Sequence, residues 1–202
     1  MKGLYLVTPD WDDTDKLLAA TEQGLLGGAS LLQYRHKTAH DDLQQEQARA
    51  LLALCRRYRV PFIINDHLAL CAMLDADGIH VGGTDASVAA VRTLLGKDKI
   101  VGVSCYGDLD LARQSAAAGA SYVAFGGFYP SRVKQYEVST APDIITRAKA
   151  EITLPICVIG GMNVHNSRPL VQLGANLVAA ISSVYLAEDR QHAATEFAQL
   201  FA

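Results

Sequence analysis

The chain has few cysteines, and their spacing excludes the common cysteine-based sites. Four occur among 202 residues, at Cys55, Cys71, Cys105 and Cys157, and no two of them form a Cys-x-x-Cys pair. Each lies in an apolar stretch, where reduced and buried thiols are typical. We therefore expect neither disulfide bridges nor a zinc site.

The chain also lacks a long hydrophobic run and a concentration of charge of one sign. Its first apolar run, 3–7, is too short for a signal peptide or a membrane span. The formal net charge is −3 and the basic residues are scattered, so we expect no nucleic-acid partner and no membrane partner. These features predict a cytoplasmic protein, and they leave open whether it forms a homo-oligomer.

What the sequence does contain is a regular alternation of short apolar runs with helical patterns. Half of the residues are hydrophobic, which is enough for one well-buried core. Strands are predicted at 4–8, 30–34, 62–65, 78–81, 100–104, 122–126, 156–160 and 177–182. Helical patterns lie between them, for example at 42–58, 86–95, 109–118 and 166–173.

This alternation predicts a parallel sheet of the α/β class, and the number of units indicates how the sheet closes. Eight strand–helix units in a chain of 202 residues are typical of a compact (β/α)8 TIM barrel. An open doubly wound sheet would carry a Gly-rich fingerprint after its first strand, and residues 8–11 do not provide one. No linker divides the chain, so we expect a single domain over residues 1–202.

The second predicted strand ends in a polar cluster. Active sites of such barrels lie at the C-terminal ends of the strands, and here the second strand runs into Gln33, Arg35 and Lys37. Because side chains of a strand alternate with period two, these three would share one side. An amide beside two cations predicts a receptor for an anionic ligand.

Two aspartates follow the next two strands. Asp66 and Asp85 are one strand–helix–strand repeat apart, so they would stand at neighbouring strand ends. Carboxylates next to Arg and Lys suit a magnesium ion shared with phosphate oxygens. Each aspartate also precedes a predicted helix and could be its N-cap, so from the residues alone both interpretations stay open.

A second anion site is indicated after the last two strands. Gly160-Gly161 and Ser182-Ser183 lie where barrels of this kind often hold a phosphate group, since glycine turns and helix starts offer backbone N–H groups. Tight-turn glycines and capping serines are the alternative.

The loop after the sixth strand is long and charged. It contains Ser131, Arg132 and Lys134, and the irregular stretch continues to Pro142. Loops of this length often cover a site, so we expect a lid that closes on an anion, with a merely solvated loop as the alternative.

The histidines are less informative. His36 and His40 have helix-like spacing but no third ligand nearby, and His80 lies in an apolar strand, as core histidines usually do. No Ser-His-Asp or Cys-His arrangement can be argued from these spacings.

Taken together, the ordered motifs resemble the thiamine-phosphate synthase family over essentially the whole chain. They are Gln33-x-Arg35-x-Lys37, Ile64-Asn65-Asp66, residues 77–82 with Asp85, Gly102-Val103-Ser104, Pro130-Ser131 with Lys134, and Ile159-Gly160-Gly161. The resemblance implies a (β/α)8 transferase that joins 4-amino-5-hydroxymethyl-2-methylpyrimidine diphosphate to 4-methyl-5-(2-phosphoethyl)thiazole, which gives thiamine phosphate and diphosphate.

The same resemblance implies roles for individual residues. Asp66 and Asp85 would hold one Mg²⁺ per subunit. The diphosphate would be bound by Arg35, Lys37, Asn65 and Lys134, the aminopyrimidine by Gln33, and the thiazole phosphate by Gly161, Ile181 and Ser182. Ser104 and Ser131 would line the substrates, and Arg35, Lys37, Lys134 and Ser104 would act in catalysis.

Two other functions were compared with this one. A thiazole tautomerase shares the barrel, but Lys37, Lys134 and Asp85 favour diphosphate chemistry, and Tyr106 stands where a tautomerase would be expected to use histidine. A non-catalytic sensor of a phosphorylated metabolite would need no metal, and the paired aspartates argue against it. Loss of diphosphate from a pyrimidine methylene needs cations and positioning rather than a protein nucleophile.

Overall fold

The computed structural model describes residues 1–82, 87–130 and 140–202. Its strands are β1 Gly3–Val7, β2 Leu31–Tyr34, β3 Phe62–Asn65, β4 Gly78–Gly82, β5 Ile100–Tyr106, β6 Tyr122–Gly126, β7 Ile156–Ile159 and β8 Leu177–Ala180. Its helices are α1 Thr14–Leu26, α2 Asp41–Tyr58, α3 Leu68–Leu74, α4 Val88–Leu95, α5 Leu109–Ala117, α6 Asp143–Glu151, α7 Val164–Gln172, α8 Ser182–Tyr185 and α9 Arg190–Gln199.

The eight strands form a closed parallel barrel in chain order. β1 closes it by pairing with β8, with Tyr5 opposite Ala179. The predicted (β/α)8 TIM barrel is therefore confirmed. The eighth strand is shorter than predicted, because the chain leaves the sheet after Ala180 and starts the short helix α8 at Ser182.

Alternation along the strands separates two apolar layers. Leu4 and Leu6 belong to the large core between the sheet and the helices. Tyr5 and Val7 belong to a smaller cluster that contains strand residues only, and this cluster fills the barrel interior. By the same period, Gln33 points into the interior from β2 together with Leu31.

Close packing at the carboxyl ends of β6 and β7 requires glycine. Gly161 has φ +64°, and a Cβ on it would lie 2.3 Å from the carbonyl oxygen of Pro130. Gly160 has φ +109°. The turn after β7 therefore lies directly against the segment that follows β6.

The described part of the chain shows where the cysteines and the other metal-ligand side chains lie. All four cysteines are buried and unbridged. No group of three or more His, Cys, Asp or Glu side chains gathers among the described residues. None of the helices described is long and apolar enough to cross a membrane.

Candidate active site

A cavity that is partly open to solvent lies at the C-terminal end of the barrel. Of the residues predicted from the sequence, its wall contains Gln33, Arg35, Asn65, Ser104 and Ile181. The barrel thus brings together side chains from strands that are far apart in the sequence.

Arg35 is buried in the cavity wall and held by the loop after β1. Its Nη1 donates to both carboxylate oxygens of Asp10, at 3.0 and 3.2 Å. Its backbone N–H donates to Thr8 Oγ1 at 2.8 Å, and the Thr8 hydroxyl donates to the Arg35 carbonyl at 2.9 Å. Asp10 also accepts from the Lys37 backbone N–H at 3.0 Å. The guanidinium group is therefore fixed before any ligand arrives.

One nitrogen of that guanidinium group, Nε, faces no hydrogen-bond acceptor among the described residues. Arg35 is 8% exposed, and within the described residues its Nε is buried without a hydrogen-bond acceptor. A buried donor without an acceptor costs about 1–3 kcal/mol. The geometry therefore suits an anion that approaches Arg35 from the cavity.

Asp66 forms an ion pair with Lys37 beside this site. Lys37 Nζ and Asn65 Nδ2 donate to the same carboxylate oxygen, Asp66 Oδ2, at 2.6 and 2.7 Å. Partial burial opposes ionisation of Asp66, but the hydrogen bond and charge of Lys37 and the Asn65 amide outweigh it, so the pKa of Asp66 is lowered. The carboxylate is therefore ionised at neutral pH.

The interpretation of Asp66 as a helix N-cap is wrong. The N-cap of α3 is His67, which makes no side-chain capping hydrogen bond. Asp66 instead has φ +60°, a conformation that is uncommon outside glycine. This backbone conformation accompanies the carboxylate's contacts with Lys37 and with Asn65, and of these three residues only Asn65 is part of the described cavity wall.

The donor set at Asp66 fits a magnesium ion. The hydrogen bonds that the described residues give to this carboxylate both fall on Oδ2, which leaves Oδ1 for a hard cation. The second predicted ligand, Asp85, lies outside the described residues, as do Ser131, Arg132 and Lys134 of the predicted lid.

A hydrogen-bond chain crosses the floor of the cavity, and sequence analysis did not find it. Gln33 Nε2 donates to the Tyr5 hydroxyl at 2.7 Å, and that hydroxyl lies 2.7 Å from the Tyr122 hydroxyl. The Tyr122 hydroxyl lies 2.8 Å from His80 Nδ1, and His80 Nε2 lies 2.8 Å from Ser104 Oγ. These hydrogen bonds thus connect two predicted substrate contacts, Gln33 and Ser104, through the side chains of Tyr5, Tyr122 and His80.

The structure gives His80 a different role from the one that the sequence suggested, and it adds two tyrosines that were not predicted. His80 is buried and hydrogen-bonded, as predicted, but its ring lines the cavity and is more than a core residue. Tyr5 and Tyr122 lie at inward-facing positions, so counting parity along each predicted strand could have found them. No comparable pattern in the sequence indicated a role for Asp10, which follows β1.

The turns after β7 and β8 lie side by side. Ile159 of β7 pairs with Ala179 of β8, so the chain leaves the two strands at the same edge of the barrel. Asn166 Nδ2 donates to the Gly161 carbonyl at 2.9 Å and holds the first turn. At the start of α8 the backbone N–H groups of Val184 and Tyr185 donate to the Ile181 carbonyl at 3.1 and 2.9 Å. Those of Ser182 and Ser183 precede the first hydrogen bond of the helix. Gly161 and Ser182 are outside the described cavity wall and form its neighbouring rim.

The other two histidines named from the sequence have structural roles. His40 is the N-cap of α2, where its side chain accepts from the Leu43 N–H. His36 accepts from the Ala39 N–H at 3.1 Å through Nδ1, and its Nε2 lies 3.1 Å from the Asp12 carboxylate. Both stabilise the segment between β2 and α2.

The fold is a (β/α)8 barrel, as in many enzymes, and its mouth carries a buried arginine and a lysine–aspartate ion pair. The model of the thiamine monophosphate synthase family matches residues 4–184 of the chain. A thiamine-phosphate synthase from Janthinobacterium sp. (strain Marseille) is 67% identical over 202 residues, covering 100% of this chain and 98% of that protein. The chain belongs to the thiamine monophosphate synthase family.

Two further comparisons agree with this assignment. A thiamine-phosphate synthase from Methylobacillus flagellatus is 48% identical over 204 residues, covering 100% of this chain and 96% of that protein. The solved thiamine phosphate pyrophosphorylase from Pyrococcus furiosus is 26% identical, with a TM-score of 0.86, covering 98% of this chain and 95% of that one. The tautomerase and sensor alternatives are not favoured.

Proposed function

We propose that the chain condenses the pyrimidine diphosphate with the thiazole phosphate, and that Arg35 and Lys37 stabilise the departing diphosphate. Family membership and full-length identity support the reaction, the formation of thiamine phosphate. The observation that carries the residue assignment is the buried Arg35 Nε, which has no acceptor within the described residues. A diphosphate oxygen would satisfy it.

The reaction needs charge stabilisation more than it needs a nucleophile. The bond between the pyrimidine methylene carbon and the diphosphate oxygen breaks, and its electron pair leaves with the diphosphate. The thiazole nitrogen then gives its lone pair to the methylene carbon, and the new carbon–nitrogen bond forms. Cations fixed in advance stabilise the developing negative charge without reorganising, and Arg35 is already fixed by Asp10.

Lys37 and Asn65 extend the diphosphate site toward the third strand. Both donate to Asp66 in this structure, and Asn65 also lines the cavity. Lys134 is the further cation that the family resemblance assigns to the diphosphate. Ser104 and Gln33, on the cavity wall, would contact the pyrimidine, together with Ser131 of the lid.

A magnesium ion is part of the proposal. Asp66 and Asp85 would hold one Mg²⁺ per subunit. The ionised state of Asp66 supports this role, as does its Oδ1, to which the described residues donate no hydrogen bond. When bound, the ion would add positive charge next to the diphosphate oxygens. Lys37 would keep Asp66 ionised and in position for it.

The thiazole phosphate is assigned to the rim formed by Gly161, Ile181 and Ser182. Gly161 and Ser182 follow neighbouring strand ends and carry no bulky side chain, so a phosphate could approach their backbone N–H groups. This arrangement would place the phosphate beside the cavity and leave the thiazole ring free to enter it.

The test mixes the two phosphorylated precursors with the purified chain, with Mg²⁺ or with excess chelator, and measures thiamine phosphate. We expect product only with the metal, and its near-complete loss in Asp85→Ala. Asp98→Ala is the matched control, since Asp98 is exposed in the turn before β5, at the opposite end of the barrel. Product formation that ignores both the chelator and Asp85→Ala would refute the metal assignment.

The remaining expectations concern the setting of the protein. A cytoplasmic location, the lack of nucleic-acid and membrane partners, and the single domain over residues 1–202 stay predictions from the sequence. The state of assembly stays open. Gel filtration and localisation of a tagged chain would test them.

A further inference from the structure

The hydrogen-bond chain across the cavity floor is buried along its whole middle. We call Gln33, Tyr5, Tyr122, His80 and Ser104 the interior chain. Tyr5 and Tyr122 are 1% and 0% exposed, and burial raises the pKa of both phenols. Each hydroxyl therefore keeps its single proton at neutral pH.

The middle of the interior chain is also sterically fixed. The rings of His80 and Tyr122 stack with centroids 5.6 Å apart, and those of Tyr5 and Tyr122 meet edge to face at 5.8 Å. A Cβ at Gly102 would lie 2.0 Å from Cζ of Tyr122, so only glycine leaves room for this ring. The hydroxyl of Tyr122 consequently has little freedom to choose other partners.

Proton counting gives the interior chain a direction. A hydroxyl can donate only once, and a neutral imidazole donates from one nitrogen and accepts at the other. With His80 neutral, a hydrogen bond donated by Gln33 Nε2 to Tyr5 makes Tyr5 donate to Tyr122, Tyr122 to His80 Nδ1, and His80 Nε2 to Ser104, at the contacts that the structure shows. The Ser104 proton is then left for the cavity, and Gln33 keeps its carbonyl oxygen as an acceptor.

The reverse direction changes both ends together. If the Gln33 amide turns over, its oxygen accepts from Tyr5, every donor in the interior chain reverses, and Ser104 becomes an acceptor toward the cavity. In either direction one end donates to a ligand and the other accepts. A mixed arrangement would leave a buried hydroxyl proton unpaired, which is costly.

We propose that Tyr5, Tyr122 and His80 are positioning residues that couple Gln33 to Ser104. The floor of the site would then bind a ring that donates a hydrogen bond to one of these two end residues and accepts a hydrogen bond from the other. A 4-aminopyrimidine has such an edge, with an amino N–H next to a ring nitrogen. The inference rests on the proposed function and deepens it, because it assigns pyrimidine recognition to a unit of five side chains.

The first test compares hydroxyl deletions that keep the aromatic ring. Tyr122→Phe and, independently, Tyr5→Phe break the interior chain at different points, so one remains informative if the other fails to fold. We expect each to lower kcat/KM for the pyrimidine diphosphate by about tenfold, the effect of one lost buried hydrogen bond, with KM for the thiazole phosphate unchanged. Tyr34→Phe is the control, since it removes a buried hydroxyl bonded to Gln47 in α2.

The second test measures the coupling itself. Gln33→Leu and Ser104→Ala, singly and together, should be non-additive in kcat/KM by about threefold or more. The same pair should become additive in the Tyr122→Phe or Tyr5→Phe background, because the connection is broken.

The outcomes separate this inference from the proposed function. If the unmodified chain makes no thiamine phosphate, the proposed function fails. If it does, two results would overturn the coupling alone: additivity of Gln33→Leu and Ser104→Ala in the unmodified background, or a Tyr34→Phe effect equal to that of Tyr122→Phe. A merely structural role for the tyrosines would alter both substrates' parameters alike.

Discussion

The Asp10 carboxylate holds the Arg35 guanidinium with both of its oxygens, across two neighbouring strand ends at the mouth of the barrel. The two residues are far apart in the sequence, yet the same carboxylate also accepts from the Lys37 backbone N–H. Asp10 therefore fixes the segment that carries both proposed diphosphate cations.

Asp10→Asn should weaken the use of the pyrimidine diphosphate. The substitution keeps the side-chain shape but loses the charge that orients Arg35, and we expect kcat/KM for this substrate to fall on the order of tenfold. Removing a negative charge from an anion site acts in the opposite direction, but for a partly exposed group this gain is about 1 kcal/mol or less. Steady-state kinetics with each substrate varied in turn would measure the balance.

The matched control for Asp10 is Asp12→Asn. Asp12 lies in the same loop but contacts His36 and is largely exposed, so we expect nearly unchanged kinetics. If Asp10→Asn instead lowered KM for the pyrimidine diphosphate, Asp10 would act through its charge, and its role in positioning Arg35 would be wrong.

Lys37→Met should reduce the amount by which the free energy of unfolding falls between pH 7 and pH 3. The pKa of Asp66 is lowered in the folded state from its ordinary value of 3.8, which is taken for the unfolded chain. Ionisation of Asp66 therefore stabilises the fold above that unfolded pKa. This contribution is lost as the pH falls through the folded pKa. Because Lys37 is half exposed, the contribution at pH 7 is below about 1 kcal/mol. Denaturant unfolding at pH 7 and near pH 3 would measure it.

The stability deficit of Lys37→Met should thus be present at neutral pH and shrink toward pH 3, while activity is lost at every pH. Lys97→Met, at an exposed lysine in the turn before β5, controls for the loss of a surface charge. A deficit that stayed the same from pH 7 to pH 3 would show that the ion pair with Asp66 does not cause it.

Lys134→Ala should reduce turnover by about a hundredfold, because a cation on the departing diphosphate acts mainly in the transition state. This expectation rests on the family resemblance, since Lys134 lies outside the described residues. Single-turnover rates compared with those of Lys149→Ala, at an exposed lysine on α6, would test it. Near-normal turnover would remove Lys134 from the diphosphate site.

Local patterns predicted the barrel and part of the site. Strand periodicity is a property of neighbouring residues, so eight strands and the inward direction of Gln33 could be predicted from the sequence. β2 ends at Tyr34, so Arg35 follows the strand directly, whereas Lys37 lies further into the loop and its contact with Asp66 depends on the path of that loop. The parity argument therefore explains Gln33 and Arg35 better than it explains Lys37.

Contacts that depend on closure of the barrel could not be predicted in this way. Tyr5 and Tyr122 meet across 117 positions of sequence, and only the closed sheet puts their hydroxyl groups 2.7 Å apart. The left-handed backbone conformation of Asp66 could not be predicted either. No glycine or turn motif lies next to it in the sequence, and a helix N-cap is an equally good interpretation of the pattern.

Gly161→Ala should damage the proposed thiazole phosphate rim more than it damages the barrel as a whole. The new Cβ would meet the Pro130 carbonyl oxygen at 2.3 Å, so the turn after β7 would have to move, and we expect KM for the thiazole phosphate to rise about tenfold or more. Gly119→Ala is the control, since Gly119 also has a positive φ, +97°, but its Cβ would come no closer than 3.8 Å to Arg92, at the other end of the barrel. Both variants should lose about 1–2 kcal/mol of unfolding free energy from the backbone conformation alone, and Gly161→Ala should lose more. Unfolding curves and kinetics on the two proteins would separate the effects, and an unchanged KM for the thiazole phosphate in Gly161→Ala would place that phosphate elsewhere.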